Sequence, residues 1–285
     1  MPGFWAFWDS DRITAPDDTA WLISQFRQRV IRPESLFFAR AANGPSDERI
    51  KSFLISVGSD IPAMRTVSRR LASDLERFSH TFADSFPDFT FNGRIFFYPS
   101  LYTRDGGTMT FPPGTALMFG VDVIAHNDGP DADLAVLFDH ELFHLYHAQQ
   151  QRGLATKPGL YRRIWGEGLA TYVSGRMNPG ADELALLLTD RNLSAARERL
   201  GFLASRALEH LDDTSSVYAR PWLQGGTSDK EVPARAGYLV GLHVAERIGR
   251  ERSLSELARM SPTEVRVQME RALREIIAAE PYKAP

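Results

Sequence analysis

The chain has 285 residues, of which 43% are hydrophobic, so it carries enough apolar material for one large domain or two smaller ones. Its 33 basic and 36 acidic residues nearly balance, and no basic run of the kind typical of nucleic-acid-binding proteins occurs. The absence of cysteine excludes disulfides and thiolate metal sites, so a bound metal would need His, Asp or Glu ligands.

The first 90 residues are predicted to be helical. One helix is expected to open at Pro16-Asp17-Asp18, and Ser46 is expected to cap another. Apolar residues then recur at steps of three and four from Met64 to Phe82, which predicts a long amphipathic helix ending at Phe86-Pro87-Asp88.

The next stretch has the character of a small sheet. Aromatic and β-branched runs at 94–98 and 116–124 predict strands, and Gly106-Gly107 and Pro112-Pro113-Gly114 are turn signals between them. The sheet is expected to be mixed or antiparallel.

The rest of the chain is predicted to be mainly helical, over about 131–150, 160–177, 192–211, 233–249 and 262–279. Ser261 is expected to cap the last helix, with Pro262 in its first position. The segment 212–232 is predicted to be a long irregular loop containing Gly225-Gly226. Its Tyr218 and Trp222 favour a packed, cleft-lining loop over disorder.

A metal-site pattern lies within the 131–150 helix, at His140-Glu141-Leu142-Phe143-His144. Residues four apart on a helix lie about 40° apart around its axis, so His140 and His144 can bind one ion. Glu141 is directed elsewhere and can instead accept a proton from a metal-activated water. The alternative is a buried helix whose histidines only satisfy hydrogen bonds in the core.

A catalytic zinc site needs a third protein ligand, and Glu167 is the best candidate. It is a lone carboxylate between Gly166 and Gly168 in a helical, otherwise apolar segment, and these glycines are expected to let the metal helix approach closely. The alternative for Glu167 is an ordinary surface position. His147 lies too far along the helix to share the ion, at about 10 Å from His140, so we expect it to support the site, face substrate or bond within the core.

Together, His140-Glu141-Leu142-Phe143-His144 and Gly166-Glu167-Gly168-Leu169-Ala170 resemble the gluzincins, the thermolysin-like metallopeptidases with two His and one Glu on zinc. The resemblance is strongest to a poorly characterised bacterial family of zinc-dependent proteases, which also has a G-Y-x-x-G helix, here Gly237-Tyr238-Leu239-Val240-Gly241. It covers about residues 93–265.

The resemblance implies that His140, His144 and Glu167 bind one Zn²⁺ per chain and that Glu141 is the general base. It also implies that a strand at about 116–124 forms the edge of a sheet above the metal cleft, where a peptide substrate could pair. Tyr238 is the candidate oxyanion stabiliser, with Arg235 as a further substrate or oxyanion contact, while core packing is the alternative for Tyr238.

One position departs from the pattern. Thermolysin-like enzymes often carry, four residues after the glutamate ligand, an Asp that orients a zinc histidine, and here Thr171 stands there. Asp139 is near in sequence as a substitute.

The sequence therefore predicts an α+β, zincin-like fold, with a helical portion at 1–90 and a catalytic region at 91–285, or with both in one continuous domain. The expected activity is zinc-dependent hydrolysis of peptide bonds in a peptide or protein substrate. A non-peptide ester, amide or epoxide hydrolase and a catalytically silent zinc scaffold are the alternatives, and other divalent ions fit the ligands. We expect no nucleic-acid partner and no transmembrane segment. The sequence as given favours the cytoplasm, with periplasm or secretion if a leader was removed, and leaves the oligomeric state open.

Overall fold

The computed structural model describes residues 1–14, 17–33, 35–38, 44–111, 114–151, 159–188, 190–224 and 231–280. Pro16, Pro112-Pro113 and Gly225-Gly226, which entered the predictions above, lie outside the described residues. Among the described helices, none combines the length and the apolar composition that crossing a bilayer requires.

Packing divides the chain into two compact units whose sequences interleave. The first unit contains Met1–Leu75 and Asn92–Ala132, and the second contains Glu76–Phe91 and Asp133–Pro285. The division differs from a single boundary near residue 90, because 92–132 pack with the N-terminal helices whereas 76–91 pack with the C-terminal ones.

The first unit contains several helices, two of which begin at a polar side chain that caps them. The helices are α1 (Pro2–Ala6), α2 (Arg12–Thr14), α3 (Thr19–Phe26), α4 (Ser35–Phe38), α5 (Asp47–Ser56), the first part of α6 (Ile61–Ser85) and α7 (Val121–Asp128). Asp18 accepts a hydrogen bond from the Trp21 amide and Ser46 from the Arg49 amide, so the predicted cap at Ser46 is confirmed. Phe4, Phe7, Phe26 and Phe53 form an aromatic core between these helices.

The sheet of the first unit has three described strands, β1 (Arg94–Tyr98), β2 (Thr108–Phe111) and β3 (Gly114–Gly120), in the order β1-β3-β2. β1 pairs with β3 in parallel and β2 pairs with β3 antiparallel, so the sheet is mixed. The prediction of an edge strand at 116–124 is wrong, because β3 has a neighbour on each side and the chain from Val121 onward is helical. A peptide substrate therefore cannot pair with β3 as an added strand.

A tight loop explains why β3 ends at Gly120. Any Cβ on Gly120 would collide with the Arg104 carbonyl oxygen. Directly after it, the buried carboxylate of Asp122 accepts hydrogen bonds from the amides of Ser100 and Tyr102, each at 2.6 Å. These bonds hold a backbone turn in which Leu101 and Tyr102 both have positive φ, and the α7 helix starts from this anchored point.

All the described secondary structure of the second unit is helical. The unit contains the end of α6 and α8 (Leu134–Gln150), α9 (Leu160–Met177), α10 (Glu183–Leu186), α11 (Arg191–Ala195), α12 (Leu200–Glu209), α13 (Ser216–Leu223), α14 (Ala236–Ile248), α15 (Leu254–Ala258) and α16 (Pro262–Ala279). The predicted helices at 131–150, 160–177, 233–249 and 262–279 are confirmed, as are the cap at Ser261 and Pro262 in the first position.

Two predictions in this unit need correction. The helix predicted at 192–211 is interrupted by a 3₁₀ turn at Ala196–Arg199. The segment 212–232 is not wholly irregular, because Ser215 caps α13 through the Tyr218 amide. Trp222 in this helix is completely buried, so the described part of the segment is packed, as expected.

The helix α8 is apolar on nearly every face from Leu134 to Tyr146, and most of its residues are buried in the core. Aromatic rings of the segment 76–91 pack along it. Phe78 lies 5.3 Å from Phe138, and Phe86 lies 5.7 Å from Phe143, measured between ring centroids. This packing fixes the helix that carries the histidine pair.

Candidate metal centre

Two imidazoles one helical turn apart form the base of the site. The Nε2 atoms of His140 and His144 on α8 lie 3.1 Å from each other. The His140 side chain is 1% exposed, whereas that of His144 is 25% exposed. One histidine is therefore enclosed by the core and the other borders solvent, as a site reached from one side requires.

The helix α9 brings Glu167 to the same point. Its Oε2 atom lies 3.6 Å from His140 Nε2 and 3.2 Å from His144 Nε2. The structure thus brings together the three side chains that the sequence singled out as ligands, from two helices that pack closely.

The three side chains fit a single metal ion. A tetrahedral ion with bonds of about 2.1 Å holds its donor atoms roughly 3.4 Å apart, and the separations here are 3.1, 3.2 and 3.6 Å. Glu167 Oε2 is buried and forms no hydrogen bond among the described residues, although both imidazole Nε2 atoms lie within 3.6 Å of it. The group could hold a metal ion, and its donor types suit several divalent ones.

Burial and mutual contacts set the protonation of the three candidate ligands. Burial lowers the pKa of His140, so that ring is neutral at neutral pH. Although burial opposes ionisation of Glu167, the two imidazoles hold its pKa well below the usual range. Burial by itself lowers the pKa of His144, but the Glu167 carboxylate outweighs this effect and raises the pKa to about 9. A metal binding here near neutral pH would displace that proton.

Glu141, the predicted general base, is buried directly beside the ligands. Its side chain belongs to a residue that is 7% exposed and that follows His140 on α8. The charge of Glu141 raises the pKa of both His144 and Tyr238, although burial and Glu167 change these two pKa values more. The Glu141 carboxylate therefore acts on both groups from within the same pocket of low dielectric.

Tyr238, the predicted oxyanion stabiliser, lies against the histidine pair. Its ring stacks on that of His140, with centroids 5.7 Å apart and planes 5° apart. Burial raises the Tyr238 pKa well above the ordinary value and the charge of Glu167 raises it further, so the phenol keeps its proton. A protonated phenol beside the ligands can donate a hydrogen bond.

Arg235 stands at the N-terminus of α14 in a strained conformation. Its φ of 64° lies in the left-handed region, which few residues other than glycine adopt. Its guanidinium carbon lies 4.5 Å from the centroid of the Tyr238 ring, a cation–π contact. The structure thus places Arg235 beside Tyr238, as their positions on one helix turn predicted.

Glycines bring α9 and α14 together, and this corrects one expectation. A Cβ on Gly168 would overlap the backbone of Gly241, whereas a Cβ on Gly166 would meet nothing within 4 Å. The expectation that both glycines let the metal helix α8 approach is therefore wrong, because Gly168 serves the contact with α14. Gly241 serves the same contact from α14, since a Cβ on it would lie 2.5 Å from the Ile164 carbonyl oxygen of α9, whereas a Cβ on Gly237 would lie 2.5 Å from the Trp222 carbonyl oxygen of α13.

The support around the ligands differs from the thermolysin-like pattern. Thr171 donates a hydrogen bond to the Glu167 carbonyl oxygen, so it does not orient a histidine. Asp139 is occupied by Asn178, whose side-chain amide donates to it at 2.7 Å, and burial raises the Asp139 pKa to about 7. Asn178 follows α9 directly and was not predicted, because no sequence motif marks it. Among the described residues, His140 Nδ1 has no hydrogen-bond partner.

His147, further along α8, packs within the protein. Its ring stacks on Phe143, with centroids 5.7 Å apart, and burial lowers its pKa to about 4, which leaves it neutral at neutral pH. It is not a member of the three-residue group that could hold the ion, in agreement with the helical rise.

Comparison with known proteins identified no relative of the chain. No family model, no curated protein and no solved structure matches the chain. Any assignment of function therefore rests on the site itself.

Proposed function

We propose that the chain is a zinc-dependent metallopeptidase of the gluzincin type, in which His140, His144 and Glu167 hold the metal. The observation that carries the proposal is the convergence of three donor atoms at 3.1–3.6 Å, with Glu141 next to them on the same helix. Two imidazoles and one carboxylate are a common ligand set of catalytic zinc.

An ion in this group would supply Lewis-acid chemistry, polarising the scissile carbonyl and lowering the pKa of water towards ~7. Glu141 would accept the proton of the attacking water and return it to the leaving amine. Its low exposure supports this role, because a carboxylate in a site of low dielectric accepts a proton more readily than a fully solvated one.

Tyr238 and Arg235 would act on the substrate. The phenol keeps its proton because of burial and the nearby Glu167 carboxylate, so it can donate a hydrogen bond to the oxygen on which negative charge develops. The guanidinium of Arg235, held over the Tyr238 ring, would hold that ring in place and add positive charge.

The number of ligands favours catalysis over a structural role. A structural zinc site is closed by four protein ligands, whereas a catalytic one keeps a position for water or substrate. Among the described residues the group has three members, and His144 borders solvent. A silent scaffold also has no need of a buried carboxylate at Glu141.

The test is Glu141→Gln, compared with Glu198→Gln as a matched control at an exposed position of the same unit. Metal content is measured by mass spectrometry, and turnover on a library of fluorogenic peptides. Both variants should bind one equivalent of zinc, and only Glu141→Gln should lose activity, by about 10²–10⁴-fold. Full activity of Glu141→Gln would refute the mechanism. Wild-type protein that cleaves esters and no peptide would point instead to a non-peptide hydrolase.

A further inference from the structure

A cavity of about 220 Å³ lies beside the proposed ligands within the second unit. His144 forms part of its wall, and so does Gly166, the residue before Glu167. A substrate whose scissile bond lies at the metal therefore has a neighbouring side chain within reach of this cavity.

The interior of the cavity is apolar. Trp165, Met260 and Val265 line it, and each is at most 3% exposed. The cavity is smaller than the 300–1,000 Å³ typical of pockets that enclose a whole small molecule, so it suits a single side chain.

Gln151 and His147, two polar residues of the cavity wall, make contacts within the protein, whereas the Trp165 indole nitrogen has no hydrogen-bond partner among the described residues. The Gln151 side-chain amide donates to the carbonyl oxygens of Ala258 and Met260, at 2.9 and 3.1 Å, and so fixes the backbone that carries Met260. His147, also in the wall, stacks on Phe143. Arg162 lines the cavity as well and brings a positive charge to it, which makes an acidic side chain the rival occupant.

We propose that this cavity is a specificity pocket that accepts an unbranched or γ-branched apolar side chain, of leucine or methionine size, adjacent to the scissile bond. The proposal rests on the proposed function, because it places the scissile bond at the metal. It adds Trp165, Gly166, Met260 and Val265 as residues that determine specificity.

Gly166 offers a direct way to fill the pocket. A Cβ at this position would meet nothing within 4 Å, so a larger side chain fits without a collision at its base. Gly166→Leu should therefore occupy the cavity and leave Glu167 in place. Gly180→Leu is the matched control, because Gly180 is exposed and a Cβ there also meets nothing within 4 Å.

The experiment measures binding, so that it does not depend on turnover. Amino-acid hydroxamates of glycine, leucine and glutamate are titrated calorimetrically into zinc-loaded wild type, Gly166→Leu and Gly180→Leu, with zinc content determined for each. The wild type should bind the leucine compound about 10–100-fold more tightly than the glycine compound. Gly166→Leu should remove this preference while glycine hydroxamate binds as before, and Gly180→Leu should behave as wild type.

Each other outcome contradicts the pocket. Equal affinities in the wild type, a preference for glutamate, or a uniform loss in Gly166→Leu would each overturn it, as would failure of all three compounds to bind. A leucine preference without any peptide hydrolysis would leave the pocket standing and refute the proposed peptidase. Peptide hydrolysis without a size preference would refute the pocket and leave the proposed peptidase standing.

Discussion

The contact between Gly168 and Gly241 allows a sharp test of how the proposed third ligand is positioned, because Gly168 directly follows Glu167 in the chain. In Gly168→Ala the new methyl group would lie less than 3.0 Å from three backbone atoms of Gly241. Backbone atoms cannot swing aside as a flexible side chain can. The helices α9 and α14 must therefore separate, by about 1 Å before an ordinary contact is restored.

The expected loss follows from that displacement. Overpacking of a well-packed interior costs typically about 1–3 kcal/mol. A shift of about 1 Å in Glu167 would also spoil donor separations of 3.2 and 3.6 Å that suit one ion. We expect zinc affinity to fall at least about 10–100-fold, the range seen when support of a ligand is lost.

Gly166→Ala is the control on the other side of Glu167. Its Cβ meets nothing within 4 Å, and alanine is favoured over glycine inside a helix, so this variant should gain about 0.5–1 kcal/mol. The two alanine variants differ by two positions in sequence and have the same composition. Their free energies of unfolding should therefore differ by about 1.5–4 kcal/mol, in opposite directions from wild type.

Urea unfolding of the metal-free protein gives the stability difference, and competition with a chelator gives the zinc dissociation constant. A Gly168→Ala variant that matches wild type in both measurements would refute the proposed role of the glycine contact. That role is also refuted if Gly166→Ala weakens zinc binding as much as Gly168→Ala does.

Two further predictions concern the oxyanion and the tight loop after β3. Tyr238→Phe should lower kcat by about 10²–10³-fold while zinc content stays at one equivalent, because only the hydroxyl donor is removed; an unchanged kcat would assign the tyrosine to packing alone. Asp122 has a pKa raised by burial, so between about pH 4 and that raised value the folded chain keeps a proton that the unfolded chain has released. The contribution of Asp122 to the free energy of unfolding must therefore fall as pH rises through that window. The free energy of unfolding in urea should depend less steeply on pH for Asp122→Asn than for wild type, and an equally steep dependence would contradict the raised pKa of Asp122.

Local signals explain what could be predicted from the sequence. Ser46 and Ser261 cap helices through hydrogen bonds within their own first turn, and the spacing of His140 and His144 places both on one face of any helix. These features depend on residues a few positions apart. Local sequence is therefore sufficient to predict these helix starts and the histidine pair.

The misjudged features depend on distant residues. The β-branched run beyond Gly120 favours a longer strand, yet the chain turns helical there because Asp122 binds the amides of Ser100 and Tyr102, about twenty positions earlier. Gly166 and Gly168 look equivalent in the sequence, but two residues on a helix are about 200° apart around its axis. One therefore faces α14 and the other the cavity, which only the packing reveals.

Because the sequences of the two units interleave, a gene fragment that contains the two motifs does not contain the whole second unit. A gene fragment beginning near residue 93 would encode all three proposed ligands, yet it would omit Phe78 and Phe86, whose rings cover α8. The encoded polypeptide would leave that aromatic surface bare and prone to aggregate. A single recombination event that transfers only the stretch with the two motifs would therefore separate the candidate ligands from the aromatic rings that pack against α8.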